Sequence, residues 1–176
     1  MLLMEFEWLQ SLDRPLLALS QGHLDTDFAE RHGDGVERDE TKLLHHELTR
    51  SVIGGMYNVH TELGVGFAEP VYANALAVVL QNAGLRVERE VPFEVVFRGV
   101  VVGRYRADLI VDRKIVVETK ALRRLDMAGT VQLRNYLRAS GLSVGLLLNF
   151  GSTPEHKRVI LTPEFAHPGR GHRVPA

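Results

Sequence analysis

The segment LSVGLLLNF at 142–150 is apolar at almost every position. A strand of that kind is buried on both faces, so it belongs inside a sheet that helices cover on either side. The residues before it predict a helix over 126–139, with Val131, Leu133, Tyr136 and Leu137 as candidates for its buried side and Gly141 as its stop. The residues before that helix, KIVVETKAL, read as another strand. A right-handed crossover through the helix then sets the strands at 115–121 and 142–150 parallel in one sheet.

The rest of the chain fits around this unit. Leu44, Leu48, Val52, Met56, Val59 and Leu63 recur at helical spacing and predict an amphipathic helix over 42–63, capped by Gly64. A second helix runs from Ala68 to Ala83, with Val71, Ala75, Leu76, Val79 and Leu80 as its apolar face and Gly84 as its end. VERE, VPFEVVFRG and VVGRYRADLIV are β-branched and bounded by turns, so an antiparallel meander is expected from 86 to 121. KRVIL at 157–161 reads as an edge strand. The expected fold class is α/β: a mixed sheet covered by helices, with one domain over 41–162 and a Pro- and Gly-rich tail over 163–176.

Composition narrows the chemistry. The chain of 176 residues has no cysteine, which removes disulfide scaffolds, zinc ribbons and cysteine nucleophiles. No apolar run is long enough to span a bilayer, and the first ten residues are acidic where a signal peptide is basic. The default is a soluble cytoplasmic protein. A net charge of −1 hides an asymmetry: residues 1–40 carry 10 Asp/Glu against 3 Arg, and the remainder carries 18 Lys/Arg against 12 Asp/Glu. An acidic leader or linker thus precedes a basic domain, which is compatible with a polyanionic partner. The leader either competes with nucleic acid for a basic groove or docks Phe6, Trp8 and Leu9 on a neighbouring subunit of a homo-oligomer. A solvated tail is the alternative.

The sharpest chemical feature is Asp108 followed by Glu118-Thr119-Lys120. Glu118 and Lys120 are two apart in a strand and face the same way. If Val111 and Ile115 flank the turn at 112–114, Asp108 lies directly across from Glu118. Two facing carboxylates repel, and a shared proton, a lysine or a divalent cation must offset that. Oxygen-only ligands with open positions favour Mg²⁺ or Mn²⁺. Such an ion activates water at a scissile phosphate, with Lys120 placed to orient or deprotonate that water and to neutralise charge. The plain alternative is an Asp–Lys–Glu ladder on a half-exposed sheet.

Other signals are weaker. Gly141-Leu-Ser143-Val-Gly145 matches G-x-S-x-G but runs helix, turn, strand, the reverse of a hydrolase elbow. His45, His46 and Glu47 lack the second histidine of a zincin, because Arg50 stands in its place. Gly64-Val-Gly66 lacks the preceding strand of a dinucleotide loop. His60 reads as a core histidine bonded to backbone. Arg104, Arg106, Arg123, Arg124, Arg134 and Arg138 flank the carboxylates in sequence, and Arg123, Arg124 and Arg134 are the best candidates for a phosphate track. No recognition helix, finger or aromatic stripe suggests base reading.

Glu69 and Tyr72 lie one turn apart on the second helix, and Gln132 and Tyr136 share a face of the third. The segment Gly66-Phe-Ala-Glu69-Pro-Val-Tyr72, then RADLIV, VVETKAL, QLRNYL and VGLLLNFG, resembles the GxxExxY proteins of the PD-(D/E)XK nuclease superfamily over residues 43–161. The resemblance implies a restriction-endonuclease-like αβββαβ core with an extra N-terminal helix. It implies Asp108, Glu118 and Glu69 as metal ligands and Lys120 as the catalytic lysine, on a RecB-type or lambda-exonuclease-like branch. Gln132 and Tyr136 match the QxxxY motif of that branch, which touches substrate phosphate, and Tyr72 joins the substrate-binding set. Thr119 departs from the pattern, since an aliphatic residue is common there. The function so implied is a Mg²⁺- or Mn²⁺-dependent nuclease acting on DNA more than RNA, with exonuclease bias. The alternative is a non-catalytic nucleic-acid-binding or assembly protein that keeps the fold.

Overall fold

The computed structural model describes residues 44–162. The acidic leader, its proposed docking residues and the C-terminal tail lie outside the described residues. The elements in order are α1 (His46–Leu63), α2 (Glu69–Asn82), β1 (Val87–Phe97), β2 (Val100–Val111), β3 (Ile115–Lys120), α3 (Met127–Ser140), β4 (Val144–Asn149) and β5 (Glu155–Ile160). The five strands form one sheet in sequence order, antiparallel except for β3 and β4, which run parallel. This is the mixed α/β architecture expected of the sequence. No helix among the described residues is long and apolar enough to cross a membrane.

Every residue of β4 is buried, as the LLL run requires. One face of the sheet packs on α1 and α2 through Val52, Met56, Leu76 and Leu80 against Leu109, Val117, Leu146 and Leu148. The other packs on α3 through Leu133, Tyr136 and Leu137 against Ile110, Val116 and Leu147. Each such side chain contributes about 2 kcal/mol by burial. Tertiary packing therefore outweighs helix propensity, which separates ordinary residues by at most roughly 0.7 kcal/mol each.

Three apolar assignments fail at helix faces. Val71 is 40% exposed, and Val131 is 53% exposed. Leu63 is also exposed. In α2 the buried set is Tyr72, Ala73, Leu76, Ala77 and Leu80. The helix is rotated so that Tyr72 enters the core and stacks on Phe150, centroids 4.5 Å apart. In α3, Val131 lies two residues from buried Leu133, about 200° round the helix, and so faces out. Helix α1 begins at His46, after a left-handed His45 with φ 55°.

The sheet forks at one place. Pairing of β2 with β3 runs from Val111↔Ile115 to Leu109↔Val117. Pairing of β1 with β2 continues to Phe97↔Val100. Beyond Leu109 the first two strands therefore leave the sheet as a two-stranded ribbon. Asp108 is the first residue past the fork.

Candidate active site

The β2–β3 turn sets the register that brings the carboxylates together. Asp112 and Arg113 both have positive φ, 50° and 56°, and Lys114 N donates to Val111 O at 2.9 Å. This primed geometry joins two strands without splaying them. The three observed pairs extrapolate to Asp108 opposite Glu118, the expected alignment.

Asp108 occupies the fork. Its Oδ2 accepts from Thr119 N at 2.7 Å and from Thr119 Oγ1 at 2.6 Å. The side chain thus takes a donor that a continuing ladder would have paired with backbone. Glu118 is 2% exposed. Its Oε1 accepts from Lys120 Nζ at 2.6 Å, while its Oε2 is buried with no hydrogen-bond partner. Burial, and then the charge of Asp108, push the Glu118 carboxyl from an ordinary 4.5 up to about 7. For Lys120, burial acts to lower the pKa, but the hydrogen bond and charge of Glu118 outweigh it and raise it.

Glu69 is the first residue of α2, where the helix dipole favours a carboxylate. Its Oε1 accepts from Ala121 N at 3.3 Å, and its Oε2 lies 3.9 Å from Lys120 Nζ. Tyr72 explains this placement. Its hydroxyl donates to Gly64 O at 2.9 Å and accepts from Phe67 N at 3.3 Å. That brace fixes the turn through Gly66, whose φ of 106° favours glycine, and sets where Glu69 begins the helix. Tyr72, expected in the substrate-binding set, is fully buried and braces the Glu69 turn from within the core.

Gln132 Nε2 donates to Tyr136 Oη at 2.5 Å. Burial raises the Tyr136 pKa, and the charges of Glu118 and Asp108 add to it, so the pair stands within electrostatic reach of the carboxylates. Tyr136 also meets Tyr105 of the β1–β2 ribbon edge-on at 5.7 Å. Arg123 and Arg124 are exposed on the loop after β3. Arg134 is exposed on α3, about 200° round the helix from Gln132.

Three further residues matter, of which the sequence singled out only Thr119, as a departure from pattern. Thr119 is the anchor of Asp108. Asn149 is fully buried, donating to Leu122 O at 2.9 Å and accepting from Leu122 N at 2.8 Å. Glu155 accepts from Leu125 N at 2.8 Å. Asn149 and Glu155 pin the loop that follows Lys120. The signal for Asn149 was legible: a lone amide in an apolar strand must find partners. His60 is bonded to backbone as expected, its Nε2 lying 2.8 Å from Gly151 O.

The donor set fits a hard divalent cation. It is made of carboxylate oxygens, and Glu118 Oε2 is a buried acceptor lacking a donor. Among the described residues no three His, Asp or Glu side chains converge as a cation site, because Glu69 is turned toward Ala121 N and Lys120. Asp108 and Glu118 are the carboxylates that the register brings together, and Glu69 lies beside Lys120.

A family model described as the PD-(D/E)XK nuclease superfamily matches residues 46–159. The chain belongs to the PD-(D/E)XK nuclease superfamily. Its five-stranded mixed sheet and flanking helices are the restriction-endonuclease-like core of that group. Nuclease chemistry, a nucleic-acid partner and use of a divalent metal are general to it. Among solved structures the chain is similar to one titled "Crystal structure of SSO0001", with 22% identity and a TM-score of 0.45. That likeness covers 69% of this PD-(D/E)XK chain and 61% of the other. No curated protein matches the chain.

Proposed function

We propose that this PD-(D/E)XK protein is a Mg²⁺- or Mn²⁺-dependent nuclease that hydrolyses phosphodiester bonds in DNA, with exonuclease bias. One observation carries the reading: a buried Glu118 with an unpartnered oxygen, opposite Asp108 and 2.6 Å from Lys120 Nζ. A structural ion pair would leave no oxygen orphaned, since a buried acceptor without a donor costs about 1–3 kcal/mol.

Asp108 and Glu118 would hold the metal. When bound there, the ion supplies Lewis-acid stabilisation of charge on the phosphate and acidifies the attacking water. Thr119 keeps Asp108 oriented through two short hydrogen bonds. Lys120, 2.6 Å from Glu118, is placed to orient or deprotonate the nucleophile and to offset developing charge. Glu69 adds a second carboxylate 3.9 Å from the lysine. The Gly66–Glu69–Tyr72 turn, braced by the Tyr72 hydroxyl, supports the narrower assignment to the GxxExxY proteins. The bonded Gln132–Tyr136 pair supports the exonuclease-leaning branch.

The test is release of nucleotides from end-labelled single- and double-stranded DNA with Mg²⁺ or Mn²⁺. Lys120→Ala should slow cleavage by roughly 10²-fold or more, the scale for one oriented transition-state donor. Asp108→Ala and Glu118→Ala should abolish it. Cleavage that persists in EDTA, or a fully active Lys120→Ala, overturns the proposal.

A further inference from the structure

Beyond the carboxylates, the structure has an open groove of about 750 Å³. It lies at the carboxyl ends of the parallel strands, the end where α/β sheets place their ligands. Lys120 pairs with Asn149, and Asn149 with Glu155, so the groove begins about two strand spacings, roughly 10 Å, from the Lys120 strand. Tyr57 of α1 and Met127 of α3 come from the two opposite helical layers, so the groove crosses the end of the sheet.

Its lining has two characters. Arg124 and Lys157 are exposed cations with no carboxylate in ion-pair range among the described residues. The acids of the groove are already engaged. Asp126 caps α3 by accepting from Gly129 N at 3.0 Å, and Glu155 accepts from Leu125 N at 2.8 Å. The apolar part is built on Tyr57 and His156, which meet edge-on with centroids 6.3 Å apart. Met127, 68% exposed, adds a soft surface opposite them. Arg124 and Lys157 stand beside the Tyr57 and His156 rings, while Asp126 and Glu155 of the same lining are turned to backbone donors, so the groove offers cations and rings together to a chain that alternates anion and flat ring. The volume is on the scale of a small ligand.

We infer that this groove binds single-stranded nucleic acid next to the catalytic centre, with Arg124 and Lys157 on phosphates and Tyr57 and His156 against a base. The inference rests on the nuclease reading for the identity of its ligand. The rings come from α1 and β5, so no aromatic stripe announces them in the sequence.

The experiment measures fluorescence anisotropy of a short labelled single-stranded oligonucleotide with full-length Lys120→Ala protein in EDTA, where no cleavage is required. Matched abasic and duplex oligonucleotides serve as competitors. Tyr57→Ala and His156→Ala should each weaken binding at least about fivefold, and Tyr57→Phe should restore it. Arg124→Ala with Lys157→Ala should weaken binding and lower the salt slope by about 1.4, or roughly 0.7 per lost single-strand phosphate contact. A 5-iodouracil oligonucleotide should crosslink to the peptide holding Tyr57 or His156. Abasic and base-bearing strands competing equally, or a duplex competing better than either, overturns the inference. So does Tyr57→Ala binding within about twofold of its parent. Absence of metal-dependent cleavage by the unaltered protein, with this binding intact, instead defeats the nuclease reading alone.

Discussion

Thr119 gives both its backbone N–H and its hydroxyl to a single oxygen of Asp108, at 2.7 and 2.6 Å. The residue that departs from the aliphatic pattern of the strand is the one that orients the carboxylate in the fork. Thr119→Val keeps the shape and the backbone donor but loses the hydroxyl. A hydrogen bond to a charged group is worth about 1.5–3 kcal/mol, so cleavage should fall roughly 10- to 100-fold. Thr119→Ser should retain most activity. Equal kcat for Thr119→Val and the parent protein would show that the hydroxyl does not position Asp108.

Glu118 gives the pH dependence a definite sign. Its carboxyl binds a proton more tightly when folded, about 7 against an ordinary 4.5. The stability this supplies is therefore present in full below pH 4.5 and lost as pH rises through about 7. Without metal, the protein should unfold at lower temperature at pH 8 than at pH 5, by up to about 3 kcal/mol from this group. Glu118→Gln should remove that difference. Mn²⁺ competes with the proton, so its affinity should strengthen as pH rises to about 7 and then level. Calorimetric titrations at several pH values check this, and a flat affinity from pH 5 to 8 contradicts it.

The sheet and its register were legible because their signals are local. The β-branched runs, the short turn at 112–114 and the apolar β4 segment each depend on neighbours in sequence, and together they align Asp108 with Glu118. The helix faces were less so. Apolar spacing around Val71 and Val131 supports more than one rotation of each helix. In α2 the choice was made at long range, by Tyr72 stacking on Phe150. The site divided in the same way. Lys120 beside Glu118 follows from strand alternation. The partners of Glu69, Ala121 N and Lys120, lie across the fold and no spacing rule announces them.

Tyr72 links the core to the site, so Tyr72→Phe separates packing from bracing. The ring keeps its stack on Phe150, but Gly64 O and Phe67 N lose the hydroxyl. Stability should fall by about 1 kcal/mol, a drop of roughly 3–5 °C in Tm for a domain of this size. Cleavage should fall further than that loss of folded protein explains, because the turn that sets Glu69 is released. The measurement is kcat at a temperature where both proteins are fully folded. An unchanged kcat would leave Tyr72 a core residue and nothing more.

Gly151 carries the last prediction. It follows the buried Phe150, and its carbonyl faces His60 Nε2 at 2.8 Å. A Cβ at this position would stand 2.3 Å from the carbonyl oxygen of Leu122 and 3.0 Å from Asn149 Nδ2. The first contact is with backbone, which has no rotamer by which to retreat. Gly151→Ala must therefore push the 122–125 loop away from β4, against the Asn149 and Glu155 hydrogen bonds that hold it. Overpacking of this kind costs about 1–3 kcal/mol. The loop joins Lys120 to Arg124, so cleavage and single-strand binding should weaken together. Gly145→Ala is the control. Its Cβ would meet Leu133 Cδ1 at 2.8 Å, a side chain on the α3 face. That variant should lose comparable stability while binding the single strand as the parent does. If Gly151→Ala bound and cut normally at the parent's stability, the loop would not be the rigid link between the two sites.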